Sequence, residues 1–295
     1  MKKNIYDIVL IGNYTQDTIS TPSGSRLVHG GGFNYGAWVA IMMGLKVAAI
    51  TRLARQDKHV VDALEQNGVD VFPYYSPSST LLRLHYPTSN PDERILTVTG
   101  VADPFLPEHV AGVESRAFLL NATARGEINL DVIREIRKKD AMIVADLQGF
   151  VRVIGPDGIM RFEPWEGKKE VLPLVDILKS DSVEGESLTG EKDRKKQAKI
   201  LSGFGPREIV ITHRDGVLVF AEGEYHEVPF SYEKLVGRSG RGDTCISSYV
   251  CKRLSASVHE SAVWSAAVTS MKMEADGPIK RTVKEVEEHI RKHYQ

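Results

Sequence analysis

The sequence predicts a three-layer α/β/α arrangement: helices on both faces of a central, mainly parallel sheet, with a small antiparallel β flap beside it. Three observations carry that expectation. Short, continuous apolar runs recur at residues 7–11, 47–50, 117–120, 142–145, 175–178 and 208–211; runs that do not alternate fit strands buried on both faces. Segments of helical periodicity lie between several of them, at 36–43, 130–139, 194–204 and 258–272. Two stretches, 15–29 and 71–101, break this rhythm with turn residues between short alternating pieces, which reads as hairpins rather than crossover units.

In chain order, the run 7–11 is the first strand and leads to Asn13 and Asp17. The stretch 15–29 turns at Pro22-Ser23-Gly24 and makes one flap hairpin. A helix over 36–43 and a strand over 47–50 come next. In 71–101, Ser76-Pro77 and Ser89-Asn90-Pro91-Asp92 punctuate the alternating pieces 82–86 and 94–98, since proline, asparagine and aspartate favour turns. Strand 117–120, helix 130–139 and strands 142–145 and 175–178 come after them. Helix 194–204, strand 208–211 and a helix from 244 to 254 precede the last long helix, 258–272. The whole chain, 1–295, is expected to be one domain, with lid segments at approximately 15–29 and 71–101.

Composition removes several function classes. Lys plus Arg is 38 and Asp plus Glu is 39, a formal net charge of -1. That balance gives no global field for nucleic acid or an anionic membrane. The two cysteines, Cys245 and Cys251, fall six apart in one expected helix, which is neither a zinc pair nor a disulfide framework. The apolar segment 37–45 is far short of a membrane span of about 20 residues. The apolar stretch 8–11 is too short for the core of a secretion signal. The expected setting is cytoplasmic, as monomer or homodimer, with neither nucleic acid nor membrane as partner.

Polar residues stand just past each strand: Asn121 after 117–120, Asp146 and Gln148 after 142–145, Ser180 and Asp181 after 175–178, Thr212 and His213 after 208–211. In open parallel sheets ligands lie beyond the carboxyl ends of the strands. The sharpest local signal is Gly237-Arg238-Ser239-Gly240-Arg241-Gly242-Asp243-Thr244, just before a helix. Glycines let backbone N–H groups converge, and the helix N-terminus adds positive dipole, so this is an anion site. Asp243 stands where a P-loop has its lysine. A carboxylate there is no phosphate clamp; it is suited to take a proton from an attacking hydroxyl. The bland reading is that Asp243 caps the helix. Arg241-Gly242-Asp243 also spells an adhesion tripeptide, which a strand–turn–helix setting disfavours.

These motifs resemble, in the same order and over nearly the whole chain, the ribokinase/PfkB family of ATP-dependent carbohydrate kinases. The resemblance implies a ribokinase-like α/β/α fold whose flap closes over the substrate. It implies that Asp243 is the catalytic base and that the amides of Gly240, Arg241 and Gly242 form the anion hole. It implies that Asp17 holds sugar hydroxyls and that Gly30-Gly31 lies under the substrate. Asp181-Ser182-Val183-Glu184 is similar to the family's Asn-x-x-Glu, tied to magnesium and phosphate, with Glu184 and Asp181 acting through water. The strand and loop 210–216 resemble the nucleotide-binding segment and place Thr212 and Gly216 near ATP. Two departures stand out: Gly237 replaces an aspartate linked to monovalent-cation binding, and Tyr35 stands where the family usually has asparagine. Residues 146–152, 237–245 and Ala102-Asp103-Pro104-Phe105 resemble the inositol-kinase-like branch.

The remaining candidates are weaker. Asn121, Gln148 and Arg152 are positioned to hold substrate hydroxyls or a phosphate, and the alternative for Arg152 is a solvated loop charge. His213 is a candidate nucleotide contact, against the alternative of a histidine bonded to backbone. His289 and His293 are four apart amid Lys and Glu, as on a solvated helix face. The implied activity is transfer of a phosphoryl group from ATP, with Mg2+, to a hydroxyl of a small polyol or sugar, myo-inositol first. The alternatives are a nucleoside or other sugar kinase (ribose, fructose, ketodeoxygluconate), for which Tyr35 would stack on a base, and a non-catalytic polyol-binding or regulatory protein.

Overall fold

The computed structural model describes residues 5–22, 24–88 and 95–294. Fifteen strands are formed: β1 (Ile5–Ile11), β2 (Thr15–Thr21), β3 (Gly24–Gly30), β4 (Val47–Leu53), β5 (Asp70–Tyr75), β6 (Thr80–His85), β7 (Ile95–Gly100), β8 (Glu114–Leu120), β9 (Met142–Asp146), β10 (Arg152–Ile154), β11 (Met160–Phe162), β12 (Ile177–Asp181), β13 (Glu208–Thr212), β14 (Gly216–Ala221) and β15 (Glu224–Pro229). Nine of them make one sheet in the order β15-β14-β13-β12-β9-β8-β1-β4-β5. From β13 to β5 every neighbouring pair is parallel, and β14 and β15 add an antiparallel edge.

The non-alternating apolar runs explain this sheet. On β1, Ile8 and Leu10 join one buried cluster while Val9 and Ile11 join another. On β8, Ala117 and Leu119 separate from Phe118 and Leu120 in the same way. Successive side chains leave opposite faces of a strand, so each strand serves two cores. The first core takes helices Gly32–Met42, Arg241–Arg253 and Val258–Met273. The second takes Leu130–Arg137 and Arg194–Ser202. This is the expected α/β/α layering.

The small sheet has the order β3-β2-β6-β7. Its two hairpins are antiparallel, and they join through the parallel pair β2–β6. Asp17, Val28, Leu82 and Val98 fall in one row across it. The second flap segment begins later than expected: residues 71–75 belong to β5, the far edge of the large sheet. Pro73 and two tyrosines make that piece look like turn material, yet an edge strand tolerates proline. The turn at Ser89-Asn90-Pro91-Asp92 and Ser23 lie outside the described residues.

Two helix boundaries differ from expectation. The first helix starts at Gly32, not 36, because three consecutive glycines conceal its beginning. The helix after the glycine-rich turn starts at Arg241, not Thr244. Asp243 therefore sits in the first helical turn, and Gly240 is the residue at the cap.

Candidate active site

The carboxyl ends of β1, β8, β9, β12 and β13 open toward the N-terminus of helix Arg241–Arg253, and the small sheet is joined to the same end. Gly240 adopts φ +73°, and a Cβ there would meet the Tyr35 ring at 2.3 Å. Only glycine satisfies both the left-handed backbone and that contact. Arg241 N–H donates to the Arg238 carbonyl at 3.2 Å, closing the turn. The Arg241 N–H is thus engaged within the turn, while the described backbone hydrogen bonds include none from Gly240 or Gly242 N–H. Lys272 supports the loop, donating to the Gly237 carbonyl at 3.0 Å and the Ser239 carbonyl at 2.5 Å. Burial pulls Lys272 down to about 8, against the pull of Asp276 and Asp243.

Gly240, not Asp243, occupies the cap position of this helix, so Asp243 is not its capping residue. Burial raises its carboxyl above the ordinary range, while Lys179, Arg152 and Lys272 oppose the rise and Glu184 adds to it. Lys179 is the cation that sequence reasoning missed. It is 3% exposed on β12, and its Nζ lies 2.9 Å from Asp146 and 3.7 Å from Glu184. A Cβ on Gly242 would come within 3.0 Å of that same Nζ, so the ammonium lies directly against the glycine turn. Burial opposes its charge, but Asp146, Glu184 and Asp181 hold Lys179 protonated well above the ordinary lysine range. The signal was available: a lysine inside the otherwise buried Ile177–Asp181 strand requires a counter-ion.

Arg152 departs from the reading of a solvated loop charge. It lies on β10 and donates to Glu184 Oε1 at 2.7 Å. Glu184 is fully buried, and its other oxygen accepts from Asp181 N–H at 2.8 Å. Asp181 Oδ1 in turn accepts from Val183 and Glu184 N–H, each at 2.8 Å, a reciprocal helix cap. Three of the four carboxylate oxygens of this pair, both of Glu184 and Oδ1 of Asp181, accept from Arg152 or backbone N–H groups. Among the described residues no cluster of three or more His, Cys, Asp or Glu is suited to a metal. Glu184 and Asp181 thus belong to the charge network beside the glycine turn.

On the other side of Asp243 lie the glycine run, Asn13, Asn121 and Tyr35, with Lys272 over the Tyr35 ring at 5.6 Å. Gly31 has φ +96°, and a Cβ on it would meet the Asn13 carbonyl at 2.6 Å. A Cβ on Gly32 would strike the Asn121 side chain at 2.4 Å, and one on Gly30 would strike Thr15 at 2.5 Å. The glycine run therefore lets the first helix start against Asn13 and Asn121. Both amide atoms of Asn121, Asn13 Oδ1 and the Tyr35 hydroxyl are buried without a protein hydrogen-bond partner. Buried polar groups are normally paired, so these atoms mark a place for a polar molecule. Burial raises the Tyr35 hydroxyl, and Asp243 and Asp17 add to the rise, which sets the tyrosine between the two carboxylates. Gln148 gives its side-chain N–H to the Ala122 carbonyl at 3.0 Å. Arg26 on β3 pairs with Asp276 at 2.7 Å and ties the small sheet to the body.

The expected nucleotide residues lie beside the charge network at the end of β13. Thr212 is buried and donates to the Ser180 carbonyl at 3.4 Å. His213 N–H donates to the Gly216 carbonyl at 2.9 Å, and Asp215 N–H donates to His213 Nδ1 at 3.3 Å. Nε2 of His213 is buried without a protein partner, and burial, Arg194 and Arg241 lower its pKa. Gly216 is explained by strand packing, since a Cβ there would meet the Val228 carbonyl at 2.4 Å.

Gly240→Ala tests the turn. An L-residue in the left-handed region costs about 1–2 kcal/mol, and the Tyr35 ring must move as well. The expected results are a matching loss in urea unfolding and a fall in turnover of about 10²-fold, as for a misplaced reacting group. A fully active, equally stable alanine variant would remove the turn from the site.

The comparisons with known proteins agree with this fold. The pfkB family carbohydrate kinase model matches residues 5–283. A pyrophosphate-dependent kinase in the ribokinase family, complexed with a pyrophosphate analog and myo-inositol, superposes with a TM-score of 0.87 at 34% identity, covering 95% of this chain and 99% of that chain. A pyrophosphate-dependent myo-inositol-1 kinase converted by mutation into a myo-inositol-3 kinase gives 0.87 at 33% identity, covering 98% and 100%. The cytidine kinase of Thermococcus kodakarensis is 25% identical over 258 residues, 83% of this chain and 87% of that protein.

Proposed function

Since this chain belongs to the pfkB family of carbohydrate kinases and is a sugar or polyol kinase, we propose that it transfers a phosphoryl group from inorganic pyrophosphate to a hydroxyl of myo-inositol. The observation that carries this reading is the place of Asp243 between two chemically different halves. One half has Tyr35, Asp17, Asn13 and Asn121, with buried hydrogen-bonding atoms at Tyr35, Asn13 and Asn121 that await a partner. The other has Lys179, Arg152, Arg241 and Arg194 around the glycine turn and His213. A polyol is all hydroxyls and suits the first half; a compact polyanion suits the second.

In the proposed reaction the Asp243 carboxylate accepts the proton of the attacking hydroxyl. The hydroxyl oxygen forms a bond to phosphorus as the bridging P–O bond of pyrophosphate breaks. Inorganic phosphate leaves, and the amides of Gly240 and Gly242 stabilise charge on the moving group. Asp17 and Asn121 orient the acceptor. The small sheet over the site excludes water, which limits wasteful hydrolysis of the donor. Support for pyrophosphate over ATP comes from the pyrophosphate-dependent structures at 33% and 34% identity.

The experiment is a matrix of acceptors and donors, read by phosphorus NMR. The acceptors are inositols, ribose, fructose, ketodeoxygluconate and nucleosides; the donors are pyrophosphate and ATP, each with Mg2+. The expected result is myo-inositol phosphate plus inorganic phosphate, with kcat/KM about 10²-fold higher for pyrophosphate, or roughly 2.7 kcal/mol. Efficient turnover with ATP and none with pyrophosphate overturns the donor assignment. Inert inositols beside a reactive nucleoside or sugar overturn the acceptor assignment.

A further inference from the structure

Among the buried titratable groups that the proposed chemistry leaves unused is Glu127. Glu127 is 8% exposed and lies in the loop between β8 and helix Leu130–Arg137. Its Oε1 accepts from Asn13 N–H at 2.8 Å, and its Oε2 accepts from Thr123 N–H at 2.8 Å. Its own backbone is fixed by Phe105 N–H, which donates to the Glu127 carbonyl at 2.8 Å. The carboxylate lines a cavity of about 200 Å³ between body and small sheet, with Asn13, Thr80, Val98, Thr123 and Met160. Each oxygen thus holds the loop after a different strand, β1 through Asn13 and β8 through Thr123.

We propose that Glu127 is a positioning residue of the acceptor site: as a carboxylate it clamps the Asn13 and Thr123 backbones together, and on gaining a proton it releases one of them. This rests on reading Asn13 and Asn121 as acceptor contacts. The chemistry is local. An ionised carboxylate only accepts, so both N–H groups are satisfied. A protonated carboxyl keeps acceptor capacity, but its hydroxyl oxygen accepts far more weakly than a carboxylate oxygen, so one of the two N–H bonds is weakened enough to be given up. Burial pushes the Glu127 carboxyl up to about 7, against the hydrogen bonds from Asn13, Thr123 and Ala124 that favour the charge.

The charged groups on the elements packed around Glu127 are occupied. Arg125, two residues away, donates to the Phe150 carbonyl at 2.6 Å and the Glu163 carbonyl at 2.8 Å. Asp103, in the segment after β7, pairs with Arg52 at 3.0 Å. On the β10–β11 hairpin, Arg152 pairs with Glu184 and Arg161 with Asp157. The facing residues of the small sheet, Thr80 and Val98, are uncharged. The proton equilibrium is therefore set by burial and backbone donors, and its consequence falls on the spacing of β1 and β8.

The test uses the intact chain and Glu127→Gln. Glutamine has one acceptor oxygen and one donor amide, so it copies the protonated state at every pH. In the unliganded wild type, the Asn13 and Thr123 amide resonances should titrate together between pH 6 and 8; in E127Q they should not. With myo-inositol, the wild-type acceptor KM should rise about 3- to 10-fold from pH 8 to pH 6, the size of one ordinary hydrogen bond. Donor KM should stay flat. E127Q should show the raised acceptor KM already at pH 8, with little pH dependence. Wild-type amides that do not titrate overturn the clamp, as does an E127Q acceptor KM that matches wild type at both pH values. If E127Q does not fold, the wild-type amide titration decides. If myo-inositol is inert at every pH, the functional reading fails, while the amide titration still judges the clamp.

Discussion

Asp243→Asn is expected to lower kcat by about 10²–10⁴-fold, the usual contribution of a general base, while donor and acceptor still bind. Asparagine keeps the shape and the helix position but takes no proton. The wild-type pH profile should carry the same group's mark. Burial raises the Asp243 carboxyl, and the base must be ionised to act, so activity should fall on the acid side at a pH above that of an exposed aspartate. That limb should vanish from the residual activity of D243N. Steady-state kinetics across pH, with calorimetric titration of each substrate, checks both statements. A D243N enzyme within a few-fold of wild type would show that the proton leaves by another route.

Lys179→Met is expected to lose about 3–5 kcal/mol of stability, because removing one partner of a buried ion pair leaves uncompensated charge. Asp146 and Glu184 both surround the Nζ, and both are fully buried. Urea unfolding measures the loss. The double variant K179M/D146N should recover part of it, since the nearest orphaned carboxylate is removed with the lysine. The same contact has a functional consequence. Lys179 is the first of the cations that hold the Asp243 carboxyl down, so without it the acid limb should move to higher pH. A methionine variant of full stability and unchanged pH profile would show the network to be incidental to the site.

Much of the architecture was legible because its determinants are local. Each apolar run of the large sheet is short and unbroken, and its residues divide between two cores simply by alternating. The glycine-rich turn was legible for a similar reason: Gly240 and Asp243 lie three apart, so their joint meaning is written in one short segment. Local reading also erred locally. Glycine's low helix propensity hid the start of helix Gly32–Met42, and residues 71–75, expected in the flap, form the edge of the large sheet.

The ionic and polar wiring of the site was not legible in that way. Arg152 meets Glu184 across 32 residues, and Glu127 meets Asn13 across 114. A buried charge such as Lys179 announces that it needs a partner but not which one, since burial is local information and pairing is not. The order of strands in the sheet supplies the partner, by setting β12 beside β9 and β1 beside β8. Neighbouring residues thus dictated which segments become strands, helices and an anion-binding turn. Packing alone assigned Glu184 to Arg152, gave Asp243 its cationic surroundings and set a lone buried carboxylate between two strand ends, because Coulomb and hydrogen-bond forces act on distance in space and take no account of distance along the chain.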